Sequence, residues 1–491
     1  MLFLALDQGT SSSRTIVYDE TGQELFSESE QVTCFYPHDG WVEQDALQVW
    51  QSQRNTLSRI LTKVDASKIQ TIGITNQRET TVVWDKKTGL PLAPAIVWQC
   101  RRSVSICERL KAQGFSEKIK QKTGLVIDAY FSLSKIVWMI ENVSGLKEKV
   151  NRNEVVFGTI DSWILYNLTK EAGEPVFATE ASNASRTMLY SLEDGSWDEE
   201  LLSIANITKD SLCEVKPSFG TFGHANLEGH KIPVTCMLGD QQSSLLGHGC
   251  FERNQMKCTF GTGAFLLLNA GSQISYSDSG LITTAAWRTR EQQNTFAIEG
   301  SVFMAGALIQ WLRDSLGLIK NSSESETLAR SVSDTGGVVI VPAFTGLGAP
   351  YWDSSARGII LGITRATTKA HLVRACLDAV AHQIADLFDD ALFNSTNSLH
   401  VDGGMAANRF FAQRLADITQ KTIVVSAKPE VTAFGAARGA FFGAQMEASI
   451  QDACNSFRFS SEQNETFHPL IDVQKLSDER SRWKNAISKI T

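Results

Sequence analysis

Four short polar stretches carry the residue types that phosphoryl transfer to a hydroxyl group requires. The first, Asp7-Gln8-Gly9-Thr10-Ser11-Ser12-Ser13-Arg14, interrupts two apolar runs, Leu2 to Leu6 and Thr15 to Tyr18. Glycine and hydroxyl residues extend strands poorly, so the segment from Asp7 to Arg14 is expected to be the turn of a β-hairpin. It also has the makings of a phosphate cradle. Gly9 lets backbone approach an anion, Thr10, Ser11 and Ser12 donate hydrogen bonds, and Arg14 adds charge. Asp7 would repel the same anion unless a cation lay between them. The second stretch, Gly261-Thr262-Gly263, repeats the device between the apolar runs of "MKCTFGTGAFLLLNAG". Either tip alone reads more simply as an ordinary hairpin turn. Two of them at the start of two similar halves suggest a duplicated fold that clamps a phosphate chain from both sides of a cleft.

The third and fourth stretches are Arg78-Glu79 in "GITNQRETT" and Asp240-Gln241 in "CMLGDQQSSLLG". A solvated turn would explain either pair. Both, however, follow buried-looking strands, where α/β folds place ligand contacts. Two carboxylates, an arginine and an amide suit a small polyhydroxylated substrate, whose hydroxyls donate to the carboxylates and accept from Arg or Gln. No Gly-x-Ser-x-Gly, His-Glu-x-x-His or metal-type Cys/His spacing occurs, which leaves hydrolytic triads and zinc chemistry without support.

The elements that must hold these residues are legible in outline. The 491 residues exceed one core, so two domains are expected, divided here as 1–250 and 251–491. The first half alternates strands and helices, with a helix over 46–64, a strand over 69–74, a polar turn over 75–80 and a strand over 81–84. "VVFGTIDSWILYNLT" reads as a strand ending near Gly158 and a helix capped by Asp161. In the second half "LHVDGGMAANRFFAQRLADIT" is a strand ending at Asp402, a di-glycine, and a helix whose N-terminus offers a place for a nucleotide. "TAFGAARGAFFGAQ" sets Gly and Ala at nearly every helical position and is expected to pack with very close backbone contact.

Composition fits an ordinary globular chain, 43% apolar and 20% charged. A net charge of −8 excludes a nucleic-acid binder that works by neutralising phosphates. No apolar run has membrane length, so no membrane insertion is expected. Without a basic leader at the start, and with nine scattered cysteines that include no Cys-x-x-Cys, the expectation is a cytoplasmic protein with reduced thiols.

The chain resembles the FGGY carbohydrate kinases along nearly its full length, and most of all the members that act on glycerol. The resemblance rests on "ALDQGTSSSR", "GWVEQD", "GITNQRET", "IVWQCRR", "FGTIDSWILYNLT", "SNASRTMLYS", "GDQQSSLLG", "FGTGAF", "EGSVFMAGALIQWLRD", "APYWDSSARGIILGITR" and "VDGGMAANRFFAQRLADI". It implies an α/β fold of two domains, the duplicated actin-like ATPase or ribonuclease H-like arrangement with an interdomain cleft. It implies ATP and Mg²⁺ as cofactors, glycerol as substrate, and a homo-oligomer, dimer or tetramer. By the same resemblance Thr10, Ser11, Ser12, Arg14 and Thr262 hold nucleotide phosphates, and Gly306, Gln310, Gly404 and Asn408 line the nucleotide pocket. Arg78, Glu79, Tyr130, Asp240 and Gln241 bind the acceptor's hydroxyls, while Trp98 and Phe265 cover its carbons. Asp240 is the general base, and Asp7 joins it in placing Mg²⁺.

Pentulose kinases of the family carry a Gly-Gln-Met-His-Gly-like segment where this chain has "ITNQRET". Chaperones and filament proteins of the same fold lack the Arg-Glu and Asp-Gln pairs. One feature departs from several bacterial relatives. The glycine-rich, Arg-containing loop that binds fructose 1,6-bisphosphate is replaced by "GHANLEGHKIPVT", which has neither a Gly-Gly pair nor an Arg.

Overall fold

Leu2–Gln8 and Ser12–Asp19 form an antiparallel hairpin, and Glu24–Gln31 extends it on the far side. The computed structural model describes residues 1–291, 293–428, 430–444, 449–457 and 464–491. The hairpin turn is tighter than the sequence suggests. Asp7 pairs with Arg14 and Gln8 with Ser13, which leaves only Gly9, Thr10, Ser11 and Ser12 at the tip. Strand pairing wins because the backbone bonds of the ladder do not depend on side-chain preference.

Ile69–Asn76 then joins Leu2–Gln8 in parallel, His230–Gly239 joins Ile69–Asn76 in parallel, and Phe219–Leu227 closes the edge antiparallel. The second sheet repeats this plan. Met256–Phe260 and Ala264–Gly271 form the hairpin and Asn294–Val302 extends it. Ser398–Asp402 and Thr422–Val425 add in parallel, and Glu465–Phe467 closes the edge antiparallel. Ile282–Arg288 is an extra outer strand. Strand for strand, the order and sense of the first sheet recur in the second, the duplicated actin-like arrangement. Each central hairpin points its Gly/Thr tip toward the same cleft.

The Gly/Ala-rich helix, Val431–Gly443, lies on the first sheet although it belongs to the second half of the chain. Its contacts are too close for a side chain: a Cβ on Gly73 would stand 2.2 Å from Ala436 O, and one on Gly435 would stand 1.8 Å from Ser243 O. Two local expectations are corrected. Thr159, not Asp161, occupies the N-cap position of helix Ile160–Glu171; the Asp161 carboxylate instead accepts from the hydroxyls of Thr159 (2.5 Å) and Thr179 (2.7 Å). The helix after the di-glycine begins only at Arg409, capped by Asn408, whose Oδ1 accepts from Phe411 N at 2.9 Å. Among the described residues no helix is long and apolar enough to cross a membrane.

Candidate active site

Both hairpin tips and both polar pairs open into one cavity of about 210 Å³. The first tip contributes Asp7, Gly9, Thr10, Ser12 and Arg14, and the second contributes Gly261, Thr262 and Gly263. Arg78 and Glu79, from just beyond strand Ile69–Asn76, and Asp240 and Gln241, which begin helix Asp240–Gly247, form the opposite end. Trp98, Tyr130 and Phe265 complete the wall.

The first tip is tied down from behind. Gln44 Nε2 donates to Thr10 O at 2.6 Å and Gln77 Nε2 donates to Gly9 O at 3.2 Å. Arg14 is ion-paired with Glu430, which anchors it to the start of the Gly/Ala helix. The second tip is held by Gly306, whose N–H donates to Gly261 O at 2.9 Å. A Cβ there would stand 2.5 Å from the same oxygen, so the approach requires glycine.

Burial pushes the Asp7 carboxyl up to about 7; Arg14 opposes the rise, and Glu430 and Asp240 add to it. A carboxylate so placed gains from a cation. No group of three or more His, Cys, Asp or Glu among the described residues could hold a metal by itself. Asp7 and Asp240, two carboxylates in the cavity that both hairpin tips enter, nevertheless fit Mg²⁺, which commonly takes only one or two carboxylates from a protein.

At the other end of the cavity Arg78 Nε lies 3.2 Å from Asp240 Oδ1. Asp240 also accepts from Gln241 N at 2.7 Å and Gln241 Nε2 at 3.1 Å. Burial raises its carboxyl, and Arg78 and Lys257 pull it back down. Its side chain is 31% exposed against 2% for Glu79, so Asp240 is the more open of the two carboxylates. Glu79 sits in the left-handed region with φ +59. The Trp98 and Phe265 rings meet nearly perpendicular, centroids 5.9 Å apart, and Trp98 meets Tyr130 in the same way at 5.8 Å. They make an apolar corner.

Ser11, Gly306, Gln310, Gly404 and Asn408 do not line this cavity. Ser11 lies in the turn of the first tip, and Gly306 holds the second. Gly306 and Gln310 lie on helix Gly306–Asp314, and the di-glycine loop presses on the strand end, where a Cβ on Gly403 would stand 2.4 Å from Phe260 O. Gly404 itself faces open space.

Sequence reasoning passed over Arg186, Lys257 and Glu299, which bond to Arg78, Glu79 and Gln241 from outside the cavity. A signal existed: Glu299 interrupts an apolar strand, and a charge in that position is seldom buried unless it is paired.

The sequence profile of the FGGY family of carbohydrate kinases matches in two parts, its N-terminal domain over residues 2–247 and its C-terminal domain over 256–444. The chain is 45% identical to the glycerol kinase of Shewanella frigidimarina, over 99% of this chain and 97% of that one. It is 44% identical to the glycerol kinase of Fusobacterium nucleatum, over 99% and 98%. Among solved structures it superposes on Plasmodium falciparum glycerol kinase with ADP, with a TM-score of 0.88, 34% identity and coverage of 100% and 98%. A xylulose kinase from Lactobacillus acidophilus shares the fold with a TM-score of 0.85 at 19% identity, covering 99% and 97%. On the sequence match and on the duplicated sheets that carry the cavity, the chain belongs to the FGGY family of carbohydrate kinases.

Proposed function

We propose that the protein transfers the terminal phosphoryl group of ATP to glycerol, giving sn-glycerol 3-phosphate. The observation that carries this reading is that two phosphate-type hairpin tips and a polyol-type set of side chains share one cavity. The glycerol kinases to which the chain is similar over nearly its whole length support the choice of acceptor.

In this reading Thr10, Ser11, Ser12, Arg14 and Thr262 bind the phosphates, while Gly306, Gln310, Gly404 and Asn408 carry the nucleoside. Arg78, Glu79, Tyr130 and Gln241 bind the acceptor hydroxyls, and Trp98 and Phe265 cover the carbon chain. Asp240, the more exposed of the two carboxylates at that end of the cavity, takes the proton of the attacking hydroxyl. Asp7 and Asp240 would hold Mg²⁺, which would supply neutralisation of the phosphates' negative charge. The apolar corner excludes water, which would otherwise compete as the acceptor. A domain division at 250/251, argued from chain length, a cytoplasmic location, argued from the scattered cysteines, and a dimeric or tetrameric assembly, argued from the family resemblance, belong to the same reading.

An ATP-consumption assay with glycerol, a panel of pentuloses, and no acceptor tests it. Glycerol alone should stimulate turnover. Stimulation by a pentulose and not by glycerol would assign a different acceptor, and turnover independent of any acceptor would point to an ATPase of the same fold.

A further inference from the structure

Arg78 and Glu79 do not aim themselves. Glu299 Oε2 accepts from Arg78 Nη1 at 2.6 Å and Glu299 Oε1 accepts from Arg78 Nη2 at 3.1 Å, so the arginine's fork is engaged away from the acceptor. What remains is Nε beside Asp240 at 3.2 Å and the edge of Nη2 that faces Tyr130 OH at 3.4 Å. Arg186 closes the ring, with Nε donating to Glu79 Oε1 at 2.6 Å and Nη2 to Glu299 Oε1 at 2.9 Å. Ser301 Oγ donates to the same Glu299 oxygen at 2.9 Å. Arg186 and Glu299 are wholly buried and neither lines the cavity.

The ring also spans the two halves of the chain. Glu299 lies on strand Asn294–Val302 of the second sheet, whereas Arg78 and Glu79 follow a strand of the first. Glu79 meanwhile keeps a left-handed backbone, which persists only where surrounding bonds over-determine it. Its carbonyl accepts from Thr81 Oγ1 at 3.0 Å and Ser132 Oγ at 3.1 Å, and its carboxylate is pinned by Arg186. A buried ion cluster kept for stability alone is poorly motivated, since apolar residues of similar volume commonly do as well. A cluster that presents two polar groups at fixed angles has a further use.

We propose that Arg186 and Glu299 are positioning residues that set acceptor specificity, holding Arg78 and Glu79 in the one arrangement that takes adjacent hydroxyl groups. The inference rests on the proposed glycerol-phosphorylating function. Its test compares the parent with Glu299→Gln, Arg186→Lys and the milder Ser301→Ala. The readouts are KM for glycerol, KM for ATP, and the ratio of kcat/KM for glycerol to that for propane-1,2-diol. None of these depends on the fraction of enzyme that is folded. Misaligning one charge-assisted contact should raise glycerol KM about 10–100-fold in the first two variants and lower the ratio by a similar factor. ATP KM should stay within about twofold, and Ser301→Ala should move the same quantities the same way by a few-fold. Variants that retain the parent's glycerol KM and ratio, however unstable they are, overturn the positioning role alone. A parent that does not use glycerol overturns the functional reading and this inference with it.

Discussion

Trp98 Nε1 donates to Thr10 Oγ1 at 2.9 Å, so a wall of the apolar corner is bonded directly to the first hairpin tip. Both residues are expected to act as a unit. In a double-mutant cycle of Trp98→Phe and Thr10→Val, the effects on kcat/KM should fall short of additivity by about 0.5–1.5 kcal/mol, the worth of one hydrogen bond. Strict additivity would mean that the bond does not couple acceptor cover to phosphate loop.

Glu180 caps the short helix Ala181–Ala184, accepting from Ser182 N and Asn183 N at 2.8 Å each and from the Ser218 hydroxyl at 2.5 Å. Burial nevertheless drives its carboxyl from 4.5 up to about 7. A folded pKa above the unfolded one favours the protonated folded state. The contribution is therefore complete below the unfolded value and is lost as pH rises through about 7, on the order of 3 kcal/mol in all. Asp7, at about 7, and Asp161, at about 6, add slopes of the same sign. Glu180→Gln should flatten the decline in unfolding free energy between pH about 5 and about 8 relative to the parent. Parallel curves for the two proteins would contradict the assignment.

The Gly/Ala helix makes a simple stability prediction. Gly73→Ala forces a methyl group to within 2.2 Å of Ala436 O, with backbone on both sides. Overpacking of this kind should cost about 1–3 kcal/mol in urea unfolding. An unchanged midpoint would mean that the helix can shift away from the sheet without cost.

Residues 219–239 form a plain hairpin that turns through Glu228 and Gly229, both at positive φ. Lys231, the one Lys or Arg between 223 and 234, pairs with Glu174 at 3.2 Å. Such a hairpin has neither the backbone nest nor the fixed cations that a sugar bisphosphate needs. Fructose 1,6-bisphosphate at millimolar concentration should leave initial rates unchanged at subsaturating glycerol. Saturable inhibition with a micromolar midpoint would show that another surface binds it.

The parts of the site set by local chemistry were legible in the sequence. Glycine and hydroxyl residues between apolar runs mark both hairpin tips, and the strands before Arg78 and Asp240 mark the acceptor end. The twofold plan could be suspected from the two tips, but its strand-by-strand match depends on pairings between segments more than a hundred residues apart, such as Lys257 with His400. Support residues were hidden for the same reason. Nothing near Arg186 in sequence discloses that its partners are Glu79 and Glu299, and the return of helix Val431–Gly443 to the first sheet leaves no local mark beyond its small residues.

Asp240→Asn gives the most direct test of the account. The amide keeps the shape and one acceptor, so glycerol binding by calorimetry should stay within a few-fold of the parent. Loss of the base should lower kcat about 10²–10⁴-fold, read as sn-glycerol 3-phosphate formed per enzyme. A variant that turns over within a few-fold of the parent would contradict the assignment of Asp240 as the base, and with it the phosphoryl-transfer geometry built around it.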